Sequence, residues 1–589
     1  MARRFLTKMV PAAIAVACGV AAGCTGTIDG ASAQGTKSGP NGPGVAGPSS
    51  GSSGAGTAGM AGATGMSQPP GTGTTDPLSQ PVASLHKLPI AEFTNSLRDL
   101  LGSDAPVASQ LEPDQQLDGF RSVSASLVAV SPTGVSQYET AIDAATKFAF
   151  ASATQAAKVL SCVPTSVTDA ACPLSQVLST FGRRAFRRTL TAADVTRYVG
   201  VATDIAQGTG GTVLLGLQSA VSAILQSPEF LYRVELGTPS TQDGGRNKYT
   251  DFEMASRLAS LLWVSVPDDA LLNAAASGGL STSAGVLAQA TTMLASQKAH
   301  QSIANFANDL YGMDASAGTP LTTTFKDPQV YPNWSTTLPG AMQQELLMRI
   351  DDVAFSGDYL SLYDSPTVFV NNELAAIYGL PRAAMDVFRR VTLPSGSPRL
   401  GLLGNAAMLA SNGLPQRTSP TLRGRFISQQ LLCKTVPPPP DGVNTNVLDT
   451  LPPGSSVKAI LEQHRQNPAC AACHAIMDPI GLGLENFDSV GVYRSSANGV
   501  PIDATGELDG VAFKDEVSLA TVLRNHPQAA PCFVSKLYEQ AQGRTTLPVD
   551  TSVLDGLTTK FNTNGHRADQ LLLDIVSSDA YRFVEIATK

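Results

Sequence analysis

Cys470-Ala471-Ala472-Cys473-His474 places two thiols three residues apart with an imidazole directly after the second. At that separation the thiols can each add across a vinyl group of a haem, and the imidazole can bind its iron. With 8 Cys and 6 His in 589 residues, chance placement gives such a pentapeptide in roughly one chain in a thousand of this composition. The same residues have other readings: a redox dithiol, a metal knuckle or a structural disulfide. Zinc needs four ligands, and no second C-x-x-C or H-x3-H is present. A redox dithiol is expected beside a βαβ pattern, which the flanking sequence lacks. The expectation is one covalent haem c, with Cys470 and Cys473 as attachment points and His474 as the proximal iron ligand.

The spacing leaves the sixth ligand open among His464, His526, Met408 and Met477. Met477 follows His474 by three residues, too close to reach the opposite haem face with ease, and reads better as a packing residue. An unfilled sixth position would allow small-ligand binding or peroxide chemistry.

The first residues say where such chemistry would take place. Arg3, Arg4 and Lys8 make a basic start, Met9 to Val20 an apolar run, and Ala21-Ala22-Gly23 a small-residue cleavage site before Cys24. This resembles a bacterial lipoprotein signal, with Cys24 as the lipidated residue; an ordinary secretory signal is the alternative. The apolar run is too short to span a bilayer as a helix. Arg3-Arg4-Phe5-Leu6 also resembles a twin-arginine signal. Either route exports the chain to the cell envelope, periplasm or cell surface. From Cys24 to about Pro81 the sequence is nearly all Gly, Ser, Thr, Ala and Pro, which cannot bury enough apolar surface to offset its ordering entropy. It reads as a disordered tether holding a globular body away from a membrane.

Beyond the tether, about 500 residues exceed what a single core organises, so several modules are expected. Val213, Leu217, Val221 and Ile224 recur at helical spacing, as do Phe533, Leu537, Tyr538 and Ala541, and no long alternating runs argue for a large sheet. The fold class is mainly α. A net charge of −8 disfavours nucleic acid as a partner, since that calls for a basic face, and no phosphate loop or nucleophile elbow is present. Four cysteines lie outside the signal, lipid and haem positions. Cys162 and Cys172 suit a local disulfide; Cys433 and Cys532 could pair across the haem region or remain buried thiols. Asp503, Thr505, Glu507 and Asp509 alternate like a calcium loop, but the register is wrong for an EF-hand, and a hairpin with solvated carboxylates is the better reading. Asp478-Pro479 reads as the turn that ends the haem-binding helix.

The order of segments resembles the planctomycete-type multi-module cytochrome-c-like proteins, also abundant in myxobacteria, whose modules are mostly domains of unknown function. The resemblance rests on Lys87-Leu88-Pro89 through Gly102, on Phe181 through Thr191 with Ser227 to Arg233, and on Val368 through Gly379. Its most specific part is Gly401-Leu402-Leu403, Arg417-Thr418-Ser419-Pro420, Leu431-Leu432-Cys433, Pro437 to Pro440, Cys470 to His474, Met477 to Gly481, Leu484 to Asp488 and Pro501 to Ala504. The implied layout is a lipoprotein-type signal at 1–23, the tether at 24–80, helical modules at 81–160 and 172–238, a larger helical module at 248–380, a cytochrome-c-like haem module at 396–512 and a C-terminal helical module at 515–587.

The modules at 172–238 and 515–587 read as two copies of one repeat, with Leu190 and Leu547 as equivalent residues. The proline run from Pro437 should end a helix spanning Arg417 to Cys433, and Leu482, Leu484 and Phe487 should line the haem pocket. The function expected is extracytoplasmic electron transfer by a membrane-tethered monohaem protein serving an unidentified protein redox partner, an electron carrier or binding protein more than an enzyme. The alternatives are a binding or structural scaffold for a partner or polysaccharide, with haem incidental or absent, and a haem enzyme with an open sixth site.

Overall fold

A computed structural model describes residues 84–584, apart from 108–109, 242, 244–245, 314–320, 322–323, 356, 438–451 and 453. The signal, Cys24, the tether and Pro438 to Pro440 lie outside the described residues. The chain is mainly α, and its strands occur as two-stranded antiparallel pairs.

Strand β1 (Ser84–Lys87) leads into α1 (Ile90–Leu101), which buries Phe93, Leu97, Leu100 and Leu101 along one face, the recurrence a half-buried helix requires. That face meets α2 (Pro132–Ala149), with Phe93 edge-on to Tyr138 at 4.8 Å. Helices α3 (Leu174–Ala185), α4 (Ala192–Gln207) and α5 (Val213–Leu225) follow, and Gly216 lets α5 lie directly against the Ala202 carbonyl of α4. Strand β2 (Tyr232–Glu235) returns to pair with β1. These elements share one core, while a larger core runs through the rest of the chain.

The larger core gathers α6 (Asp251–Trp263), α7 (Ala299–Tyr311), α8 (Leu338–Ala354), the hairpin of β3 (Thr367–Val370) with β4 (Arg389–Thr392), and α9 (Ala406–Ser411). Arg257 of α6 joins parts of the chain that are far apart in sequence. It is 2% exposed, pairs with Glu235 at the end of β2, donates to Gln542 at 3.3 Å, and lies between the Tyr249 and Tyr581 rings at 4.4 and 4.3 Å. Burial acts to raise the Glu235 carboxyl, but Arg257, His86 and Arg233 outweigh it and hold that group at about 2. A cavity of about 40 Å³ adjoins this cluster, room for two or three waters.

After α9 come α10 (Pro420–Phe426), which passes into a wider π-helical turn at Ile427–Leu431, then α11 (Val457–His464) and α12 (Pro468–Leu482). The helix expected over Arg417 to Cys433 is thus shorter, because Ser419 caps its start by accepting from Leu422 N–H at 3.3 Å and the chain leaves helical geometry by Leu432. Strands β5 (Gly506–Leu508) and β6 (Val511–Phe513) form a hairpin whose two turn residues, Asp509 and Gly510, both have positive φ, the type I′ geometry. Its carboxylates face lysines: Asp503 pairs with Lys458 at 2.9 Å and Asp509 with Lys434 at 2.5 Å. Helices α13 (Glu516–Arg524), α14 (Ala529–Gln542), α15 (Thr551–Thr563) and α16 (Ala568–Ser577) complete the fold.

Helices α3 to α5 and α14 to α16 follow one plan, each set ending in a short helix that begins after Ser227 or Ser578. The first helix of each set is followed by a residue in the left-handed region, Arg187 at φ 57° and Gly543 at φ 65°. The next residue is an arginine on the carboxylate that opens the second helix, Arg188 on Asp194 at 3.0 Å and Arg544 on Asp550 at 2.7 Å. Those carboxylates accept backbone N–H groups from Thr191 at 3.0 Å and Leu547 at 2.8 Å. The counterpart of Leu547 is therefore Thr191 and not Leu190, a correction of one residue. Leu190 covers Gly182 of the preceding helix, whereas Leu547 is 38% exposed.

Candidate functional site

Helices α10 and α12 cross with glycine on both sides. A Cβ on Gly424 would strike the Met477 carbonyl, and one on Gly481 the Pro420 carbonyl, so the absence of side chains here is what allows the two backbones to touch. The crossing carries Arg423, 1% exposed, into the turn after α12. There its guanidinium donates to the carbonyls of Leu484 at 2.7 Å, Phe487 at 2.8 Å and Asp488 at 2.7 Å. Lys326 ties that turn to the end of α9, donating to the carbonyls of Ala410 at 2.9 Å and Gly413 at 2.7 Å and to Ser489 Oγ at 2.9 Å. Burial, the largest influence on Lys326, lowers its ammonium to about 7.

The crossing also brings Thr421 onto Asp478, with its hydroxyl donating at 2.8 Å. Asp478 has no exposed side-chain surface and lies one helical turn beyond His474, whose Nδ1 is 2.9 Å from Oδ2 and 3.1 Å from Oδ1. An ionised carboxylate only accepts, so Nδ1 carries the proton and Nε2 is the nitrogen left to bind a metal. Asp478 and Pro479 therefore do not end the helix as expected: α12 continues to Leu482 with Pro479 inside it. Neighbours held by the Gly424 and Gly481 contact keep the helix together past a residue that cannot donate.

Cys470, Cys473 and His474 all lie on α12. Both thiols are free and half-buried, and Cys473 Sγ is 3.7 Å from the Pro437 carbonyl oxygen. The other four cysteines among the described residues are bridged, Cys162 to Cys172 and Cys433 to Cys532. Two accessible thiols one turn apart, followed by an imidazole with a committed Nδ1 and a free Nε2, fit the attachment and proximal side of a haem c.

The four sixth-ligand candidates are placed differently. His464 of α11 meets His474 edge to face with ring centres 4.6 Å apart. Imidazoles on opposite sides of one metal stand about 6 Å apart, so the pair as it stands does not sandwich an iron. Burial, and next to it His474, push the His464 imidazole below its usual value. His526 is engaged at both ring nitrogens, by Asp509 at 2.9 Å and by the Gln528 N–H at 3.1 Å. Met408 lines a small cavity of the main core with Leu403, Leu409, Phe426 and Leu484. Met477 is buried on α12 itself. Leu482 packs with Leu461, Val457 and Ile460 of α11 in a small separate cluster. Leu484 and Phe487 belong instead to the main core, with Phe487 buried beneath the Arg399 guanidinium at 4.6 Å. This corrects their expected place on a pocket wall: Arg423 turns the chain inward at their carbonyls.

Sequence reasoning missed Thr421, Asp478 and the paired glycines. The spacing of His474 and Asp478, four apart and so on one helix face, was the available signal, masked by the proline that follows.

Five family models match the chain, each described as a protein of unknown function: DUF1587 over residues 87–151, DUF1595 over 174–235, DUF1592 over 249–380, DUF1588 over 399–497 and DUF1585 over 509–581. The chain is thus built of several modules, each similar over its own segment to a family of unknown function. The DUF1588 match contains Cys470, Cys473 and His474. No curated protein and no solved structure matches the chain.

Proposed function

We propose that this protein is an exported, membrane-tethered c-type monohaem protein that passes electrons outside the cytoplasm to or from a protein redox partner. Cys470 and Cys473 would hold haem c covalently, and His474 Nε2 would bind its iron. Bound there, the haem supplies an iron that exchanges one electron. The observation that carries the reading is the contrast among the cysteines: two pairs are bridged, while Cys470 and Cys473 stay free beside an imidazole fixed by a buried carboxylate. Export agrees with it, because disulfides such as Cys162–Cys172 and Cys433–Cys532 persist in oxidising compartments. The chain's own residues hold the site: Asp478 fixes the tautomer and orientation of His474, Thr421 fixes Asp478, and α11 covers one side of the imidazole.

The test is a pyridine haemochrome spectrum of the chain produced with c-haem maturation machinery. A covalent haem c signal that disappears in Cys470→Ala/Cys473→Ala is expected; a wild-type chain without covalent haem refutes the reading and leaves a binding scaffold. A second reading, a haem enzyme with an open sixth position, is favoured by the placement of His464, His526, Met408 and Met477, none of which the geometry sets opposite His474. Carbon monoxide binding to the reduced protein separates the two: fast, stoichiometric binding supports the open site, and its absence supports the carrier.

A further inference from the structure

We infer that Asp478 is a positioning residue that sets the electron affinity of this site: it makes His474 a strongly donating ligand, so that the oxidised iron is favoured. The inference rests on the proposed haem site. Its ground is the environment of one hydrogen bond. His474 Nδ1 faces both oxygens of Asp478, at 2.9 and 3.1 Å, and Asp478 has no exposed side-chain surface. Thr421 Oγ1, at 2.8 Å on Oδ1, supplies its other side-chain donor. No cation pairs with Asp478 among the ion pairs of the described residues, where His474 is its partner.

A carboxylate accepting an N–H in a water-poor setting draws the proton towards itself and leaves the ring more electron-rich, which raises the basicity of the ligating nitrogen. The oxidised form carries one more positive charge than the reduced form, and it therefore gains more from that electron density and from the carboxylate charge itself. Both effects lower the reduction potential. A neutral acceptor in the same place would fix the tautomer equally well but would supply neither the charge nor most of the polarisation. The Thr421 hydroxyl works against Asp478, because a donor on one carboxylate oxygen withdraws charge from the group. The two residues therefore have opposite signs, which a merely structural role would not produce.

Haem-loaded wild type, Asp478→Asn and Thr421→Val, each nearly unchanged in shape, are to be titrated potentiometrically with mediators at one pH and salt. Asp478→Asn is expected to favour reduction at least tenfold, an upward shift of about 59 mV or more for one electron. Thr421→Val is expected to shift the midpoint downwards by a smaller step. An Asp478→Asn protein that holds covalent haem and moves less than twofold overturns the inference, as do shifts of the same sign in both variants, which would indicate general loosening of the site. Should Asp478→Asn fail to fold, the sign of the Thr421→Val shift decides. Wild-type protein without covalent haem overturns the proposed function itself and is read before any potential is measured.

Discussion

Replacing Gly424 by alanine tests whether the contact of α10 with α12 positions the site. An added Cβ at Gly424 would lie 2.6 Å from the Met477 carbonyl carbon, where carbon atoms normally keep about 3.5–4.0 Å. The obstruction is backbone, so it cannot swing aside, and the helices must part by about 1 Å. That displacement would stretch the 2.8 Å bond between Thr421 and Asp478 beyond the distance at which a hydrogen bond counts. It would also pull Arg423 from the carbonyls of Leu484, Phe487 and Asp488. Overpacking costs about 1–3 kcal/mol, and weakening a charge-assisted hydrogen bond adds about 1.5–3 kcal/mol, so the expected loss is about 3–5 kcal/mol. Gly556 on α15 is the control: a Cβ there meets nothing within 4 Å, and alanine should stabilise by about 0.5–1 kcal/mol from helix propensity. Urea titrations of both variants, followed by circular dichroism, give the comparison, together with the yield of covalent haem. A Gly424→Ala protein within 0.5 kcal/mol of wild type, roughly the scatter of a surface substitution, would refute the account of how α12 is held.

The Cys433 to Cys532 bridge closes 99 residues and the Cys162 to Cys172 bridge 10, so loop entropy makes the first worth about 2 kcal/mol more than the second; paired Cys→Ala variants compared by thermal unfolding should fall in that order, and the reverse order would count against a chain-entropy origin. Burial, opposed by the Leu400 N–H and Arg399, lifts the Glu516 carboxyl from 4.5 to about 8. Between those values the unfolded chain has released a proton that the fold retains, so the contribution of Glu516 to stability is fully present below about 4.5 and is lost as pH rises to about 8; Glu516→Gln should flatten the decline in that window, and an unchanged slope would assign it to other groups. Lys326→Met removes the shared donor of the Ala410 and Gly413 carbonyls and Ser489 and should cost about 3 kcal/mol, measured as a lowered urea midpoint.

The helical class was legible because it depends on local spacing, the helical recurrence of apolar residues; the same local reading found two thiols and an imidazole on one segment, which the structure places together on α12. Asp478 was hidden because proline is read as a helix stop, and only the touching backbones at Gly424 and Gly481 show why the helix persists through Pro479. The roles of Leu484 and Phe487 turned on Arg423, a charged residue whose burial depends on carbonyls sixty residues away in sequence. The repeat was visible as a similarity of order, but its register is set by the Arg188 to Asp194 and Arg544 to Asp550 pairs, and matching like letters at Leu190 and Leu547 slipped it by one. Buried ion pairs leave no periodic trace, which is why Arg257 carried no signal.

Arg257 also imposes a schedule on the newly made chain. Glu235 and Tyr249 emerge before it, but Gln542 follows 285 residues later, and Tyr581 later still. Until the last helices arrive, the guanidinium lacks one of its two aromatic faces and its amide acceptor, and the α6 side of the core has no lid over a charge. The junction can therefore close only after nearly all of the chain has been delivered. A chain stopped short of α14 would be left with a half-clad ion on α6, without the Gln542 acceptor and the Tyr581 face that complete the junction.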